Sequence, residues 1–193
     1  MLHQHLKEQT AYAHQVLEKK LVTRIKNIRS VEDYATLLKV MYGYYAAIEI
    51  QIQPYITDES LLNFTARRKA DSILDDISSF MPVGQLPLCT DLPVVKSYAQ
   101  SLGVLYVLEG STLGGQIIAK MIANQLNLKD KKGISFFLGY GEKTQVMWES
   151  FKEKLDQPFN DFEKEEIIGA ANDTFITFKN WIDKQEILLP LAV

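Results

Sequence analysis

The chain has 193 residues, 47% of them hydrophobic, with 21 basic against 24 acidic side chains and a formal net charge of -3. That is enough chain for one well-packed core, and length alone favours a single domain over residues 1–193; the missing basic excess argues against a nucleic-acid partner. With Cys89 as its only cysteine, the chain can form neither an intramolecular disulfide nor a thiolate metal cluster, which fits a reducing cytoplasm.

The N-terminal "MLHQHLKEQTAYAHQ" is polar almost throughout and lacks the apolar stretch of a signal peptide. Residues 3–21 carry Leu6, Thr10, Ala13, Leu17 and Leu21 at spacings of three and four, one face of a helix, with His3 and His5 at its frayed start. Ser30 and Asp33 suggest a capping box ahead of a long helix over about 31–57, whose "YATLLKVMYGYYAAIEI" suits a core. A third helix is expected near 66–80. "MPVGQLPLCTDLP" (81–93), with three prolines and a glycine, reads as a loop. A long helix is expected over about 93–126, then a surface connection over 128–143 with one short helix, and helices near 143–156 and 161–186. The closing "ILLPLAV" reads as a short apolar tail docked on the body.

No strand alternation or repeat interrupts this pattern, so the expected fold is all-α, a single-domain multihelical bundle. No segment reads as the roughly 18 apolar residues of a membrane span. A cytoplasmic protein without membrane insertion is expected, and a monomer, because no long exposed apolar stripe stands out.

In "LYVLEGSTLGGQIIAK" (105–120), Leu105, Val107, Leu108, Leu113, Ile117 and Ile118 ask for a buried helical face, yet Gly110, Gly114 and Gly115 interrupt it. Each glycine costs on the order of 1 kcal/mol against alanine in a helix interior. Two readings stand side by side. Small residues four apart let helices pack closely, or the bare backbone makes room for a ligand.

The first helix offers a second candidate. His14 lies four residues after Thr10 and three before Leu17, on the buried border of the helix. It reads either as a hydrogen-bonded core histidine or as an axial ligand, since neutral imidazole is a common ligand for heme iron. Glu18, one turn on, is either a solvated surface acid or an acceptor that fixes the imidazole tautomer. "GYGEKT" lacks the strand and spacing of a phosphate loop.

With these two features together, the chain resembles the heme oxygenase family. "LKEQTAYAH" (6–14) resembles the family's proximal-helix pattern Leu-Lys-Glu-x-Thr-x-x-x-His. "YATLLKVMYGYYAAIE" (34–49) is similar to its second helix, and "RRKA" (67–70) recurs there. "LEGSTLGGQIIAK" (108–120) resembles the distal helix in its bacterial form, including members that supply bacteriophytochromes, and "ANDTFITF" (171–178) resembles a late helix that walls the pocket. The resemblance implies an enzyme that opens heme, at once cofactor and substrate, to biliverdin with release of carbon monoxide and ferrous iron. Its other requirements are O2 and electrons from a separate reductase or ferredoxin, an electron-donor protein partner.

Carried over to this chain, the resemblance implies His14 as the proximal iron ligand and Glu18 as its hydrogen-bond partner. On the same resemblance Gly110 and Gly114 would lie over the distal face, and Gly115 would ease a kink. Tyr45 helps order distal water, Phe175 walls the pocket and Lys7 lies near the heme propionates. Two departures matter. Ser111 stands where mammalian members carry an aspartate that organises distal water; a hydroxyl can still bond water but cannot act as a carboxylate relay. Ala11 replaces a second lysine, with Lys152 or Lys154 as substitutes further along. A non-catalytic heme carrier on the same fold is the alternative that Ser111 keeps open. A thiamin-salvage hydrolase would need a catalytic cysteine, and Cys89 lies in the proline-rich loop.

Overall fold

The computed structural model describes residues 1–61, 63–129 and 132–188, and all regular secondary structure among them is helical, as expected. The docking expected of the side chains in 187–193 lies outside the described residues.

Helix α1 (Leu2–Lys26) buries Leu6, Thr10, Leu17 and Ile25 along one stripe. Its start is not frayed: the His3 Nδ1 lies 2.6 Å from Asp156 Oδ2, and the His3 backbone N–H donates to Asp156 Oδ1 at 3.2 Å. Helix α2 (Val31–Ile52) opens with the expected capping box, the Asp33 N–H donating to Ser30 Oγ and the Ser30 N–H to Asp33 Oδ2, both at 3.1 Å. It stops five residues before the expected end, in a 3-10 turn over Gln53–Tyr55 that holds Pro54. Proline has no N–H to continue the ladder and disfavours helical geometry in the residue before it.

Helix α3 covers only Asp71–Ser78, where 66–80 was expected. The cause is distant in sequence. The Ala70 N–H donates to the Glu49 carboxylate of α2 at 2.9 and 3.1 Å rather than to a helical carbonyl. Residues 66–70 are thereby held as a bent segment that carries Arg67 inward, 3% exposed.

Helix α4 (Tyr98–Gln125) starts at a Ser97 cap, whose Oγ accepts the Gln100 N–H at 3.1 Å, rather than at residue 93. It then runs unbroken through Gly110, Gly114 and Gly115. By length and composition this helix could cross a membrane, against the expectation that no segment qualifies. Of its most apolar window, however, 56% is buried inside the protein, as suits a core helix. Its Gly103 lets α7 (Asp161–Leu188) pack closely, because a Cβ there would strike the Ile167 carbonyl and the Ala170 side chain.

Between them, α5 (Ser135–Leu138) is capped by Asp76, which accepts the N–H groups of Ser135 and Phe136 at 2.7 and 2.9 Å. The stretch expected as a surface connection therefore contributes Ile134, Phe136 and Phe137 to the core. Helix α6 (Thr144–Leu155) follows close to its expected bounds. Hydrogen bonds from Tyr44 Oη to the Thr174 carbonyl (2.9 Å) and from Trp181 Nε1 to the Val40 carbonyl (2.7 Å) tie α2 to α7 across the core.

Candidate functional site

His14 is exposed, at the edge of the buried stripe of α1 that runs through Thr10 and Leu17. Its ring lies 5.3 Å from that of Phe175 on α7, tilted by 38°, and Phe175 is buried. Among the described residues nothing hydrogen-bonds to the His14 ring, so both ring nitrogens retain their valence for a ligand. Glu18 is also exposed, and no hydrogen bond joins it to His14: the expected pairing does not form. Lys7 is exposed on the same helix and lines, with Gln4, Glu8 and Ala11, an open groove of about 550 Å³. Thr10 meets Tyr106 of α4, a contact one turn before His14 and one turn before Gly110.

Gly110, Leu113, Gly114 and Ile117 fall at i, i+3, i+4 and i+7, one face of α4. A Cβ at Gly114 would meet nothing within 4 Å, and one at Gly110 would meet only the Trp148 ring, at 3.7 Å. Leu113 and Ile117, expected to be buried, are 43% and 67% exposed. Bare backbone and uncovered aliphatic side chains thus share one surface. Gly115 is turned away from it: its Cβ would collide with the Phe137 carbonyl, so here the glycine serves close packing against α5 and not an open site or a break in the helix.

Behind that surface lies a polar network. The Ser111 hydroxyl donates to the Leu108 carbonyl at 2.6 Å and accepts from Arg68 Nη2 at 2.6 Å and Tyr45 Oη at 3.2 Å. A hydroxyl has one donor and two acceptor positions, so Ser111 is saturated by protein and has nothing to spare for distal water while these bonds stand. Arg68 also donates to the Leu108 carbonyl at 2.8 Å, and its guanidinium lies over the Phe136 and Tyr45 rings at 4.1 and 5.5 Å. Next to it, Arg67 Nη1 pairs with Glu109 Oε2 at 2.6 Å, the two side chains 1% and 4% exposed. Tyr140 Oη donates to both Glu109 oxygens at 3.0 Å and accepts the Arg68 backbone N–H at 2.9 Å. Burial, with the Glu109 charge beside it, pushes the Tyr140 phenol well up. Burial also raises Glu49 to about 7, against the pull of the Ala70 N–H, Lys69 and Arg68.

The structure thus brings Tyr45 to Ser111 and His14 to Phe175, and places Gly110 and Gly114 on an open face. Arg67, Arg68, Glu49, Glu109 and Tyr140 lie within the stretches quoted above, but none carried an expected role. Glu109 carried a usable signal: a carboxylate inside the apolar run "LYVLEG" must find a cation or a set of donors.

A family model described as heme oxygenase matches residues 89–184. A heme oxygenase of Xanthomonas campestris pv. campestris (strain 8004) is 28% identical over 129 residues, 65% of this chain and 73% of that protein. The solved heme oxygenase of Leptospira interrogans aligns with a TM-score of 0.76 over 95% of this chain and 98% of its own, at 23% identity. The NO- and CO-bound heme oxygenase of Neisseria meningitidis aligns at 0.79 over 100% and 95%, at 20% identity. The heme oxygenase family model matches over residues 89–184, and the all-α fold of this chain is that of the solved heme oxygenases.

Proposed function

We propose that the protein is a working heme oxygenase, which opens heme to biliverdin with release of carbon monoxide and ferrous iron. The observation that carries this reading is the pairing of a bare apolar face on α4 with an exposed imidazole that has no protein partner. A flat apolar ligand needs a wall without side chains, and its iron needs a nitrogen not already hydrogen-bonded. Both needs are met by residues of this chain.

His14 would hold the iron from α1, with Phe175 limiting how its ring turns. Gly110 and Gly114 would offer a bound macrocycle bare backbone, and Leu113 and Ile117 would shield it from water. Lys7, in the groove on α1, supplies positive charge for a propionate. Bound heme supplies the redox-active iron at which O2 is reduced, with electrons from an external reductase or ferredoxin. Tyr45, Ser111 and Arg68 present an ordered polar array behind the α4 wall, and the protein controls protons from there.

Saturation of Ser111 favours a second reading, a heme carrier that does not degrade its cargo. Aerobic incubation with hemin and an electron source separates the two. Loss of the Soret band with a bilin product supports the enzyme; a stable Soret band over the assay sinks it and leaves the carrier. Replacing His14 by Ala abolishes normal iron ligation under both readings, so ligation alone does not discriminate.

A further inference from the structure

The network behind α4 contains one group with valences left over. Arg67 is buried and its Nη1 holds Glu109, but its Nε and Nη2 have no partner among the described residues. Beside it lies a cavity of about 10 Å³ whose polar lining is Arg67, Arg68, Lys69, Glu49, Glu109 and Tyr45, with Ile52, Phe64, Leu105 and Leu108 completing the wall. That is room for about one water, and a cavity into which unpaired polar groups point hydrates where a wholly apolar one stays dry. Two charged N–H donors left dry would carry a large desolvation cost.

Glu49 and Tyr45 are one turn apart on α2 and both line this cavity. The Tyr45 hydroxyl already donates to Ser111 on the far side, leaving its own oxygen able to accept. Both Glu49 oxygens accept from the single Ala70 N–H, so a proton on the carboxyl is free to be donated. We infer that one internal water, held by Nε and Nη2 of Arg67, joins Glu49 to Tyr45, and that Glu49 is the proton store for chemistry at the open face of α4. The destination of the proton rests on the heme oxygenase reading above; the water and its link to Glu49 do not.

The groups facing Glu49 are Arg68 and Lys69 from the bent segment, Asp71 at the start of α3, and Arg67, Glu109 and Tyr45 around the cavity. Burial outweighs the two cations, and the carboxyl exchanges its proton near pH 7. In the transfer the water lets go of one Arg67 nitrogen, takes the Glu49 proton on the lone pair so freed and gives one of its own protons to the Tyr45 oxygen. Tyr45 passes its phenolic proton to Ser111 Oγ along the 3.2 Å bond. Ser111 then turns from the Leu108 carbonyl and releases its hydroxyl proton to solvent water at the Gly110–Gly114 face. Every O–H bond broken is matched by one formed, and the carboxylate left behind faces Arg68 and Lys69. Arg68 Nη2 keeps the Leu108 carbonyl paired at 2.8 Å, so the turn of Ser111 orphans no acceptor. This arrangement supplies, from α2, the acid that position 111 lacks.

The test uses Glu49→Gln, which keeps an acceptor for Ala70 but carries no transferable acid proton, and Tyr45→Phe, which cuts the same line at a second point. In protein without heme, an infrared pH titration should show a carboxylic C=O band that vanishes around neutrality and is missing from Glu49→Gln. A high-resolution crystal structure should show one water within hydrogen-bond reach of Arg67. In hemin turnover, each variant should lose about tenfold or more in rate, with hemin affinity unchanged and the pH dependence near neutrality flattened, while Glu49→Asp restores part of both. A wild-type rate and pH profile in Glu49→Gln overturns the proton store, and a dry cavity or an absent band overturns the water link. Wild-type protein that binds hemin without degrading it defeats the enzyme reading instead, with the band and the water still present.

Discussion

Along one side of α4, Gly110, Leu113, Gly114 and Ile117 present bare backbone and uncovered aliphatic carbon. On the two flanks of that face, Glu109 and Ser111 have their oxygens occupied by Arg67, Arg68, Tyr140, Tyr45 and the Leu108 carbonyl. One helix thus carries an open face and, on the residues that flank it, a closed polar network. The difference follows from solvent. Polar groups sealed inside must be paired or they destabilise the fold, whereas an exposed face can wait for a ligand at little cost. His14 belongs with the open side, and the unpartnered nitrogens of Arg67 are the exception on the closed one.

This contrast can be broken most severely from inside. Glu109→Ala leaves the Arg67 charge buried with one partner fewer, and urea denaturation should show a loss of about 3–5 kcal/mol. The next largest effect separates two glycines in the same helix. Gly115→Ala drives a methyl group into the Phe137 carbonyl and should cost about 1–3 kcal/mol of stability. Gly114→Ala meets open space, so thermal melts should show a gain of up to about 1 kcal/mol from helix propensity, while hemin titration shows weaker binding. Equal losses from both substitutions would abolish the distinction between the two faces. His14→Ala should change stability by less than about 0.5 kcal/mol, yet remove the imidazole-ligated absorption spectrum of the hemin complex.

The smallest expected effect lies at the far end of α1. Although burial by itself raises the Asp156 carboxyl, hydrogen bonds and charge from His3 bring it below its usual 3.8. A carboxyl depressed in the folded state stabilises above its unfolded pKa and loses that contribution as pH falls through the folded one. Acid unfolding below pH 3.8 should therefore be slightly steeper in the wild type than in Asp156→Asn.

Local rules made much of the fold legible. The Ser30–Asp33 capping box and the proline-rich 81–93 loop need only neighbouring residues, and both appear where expected. The start of α3 was illegible because Glu49, 21 residues upstream, captures the Ala70 N–H. His14 could be singled out from its pattern, but its exposure depends on how α1 rolls against α7. The Arg67–Glu109 pair spans 42 positions, and no periodicity within a helix announces such a partner.

The sequence by itself therefore determined the helical class, the capping box of α2 and the placing of three glycines within one helix. Only the tertiary structure decided that Gly114 is bare while its neighbour Gly115 is packed, and that Ser111 has all its hydrogen bonds taken. Adjacent residues on a helix point about 100° apart, so what each one meets is set by whichever element packs on that side.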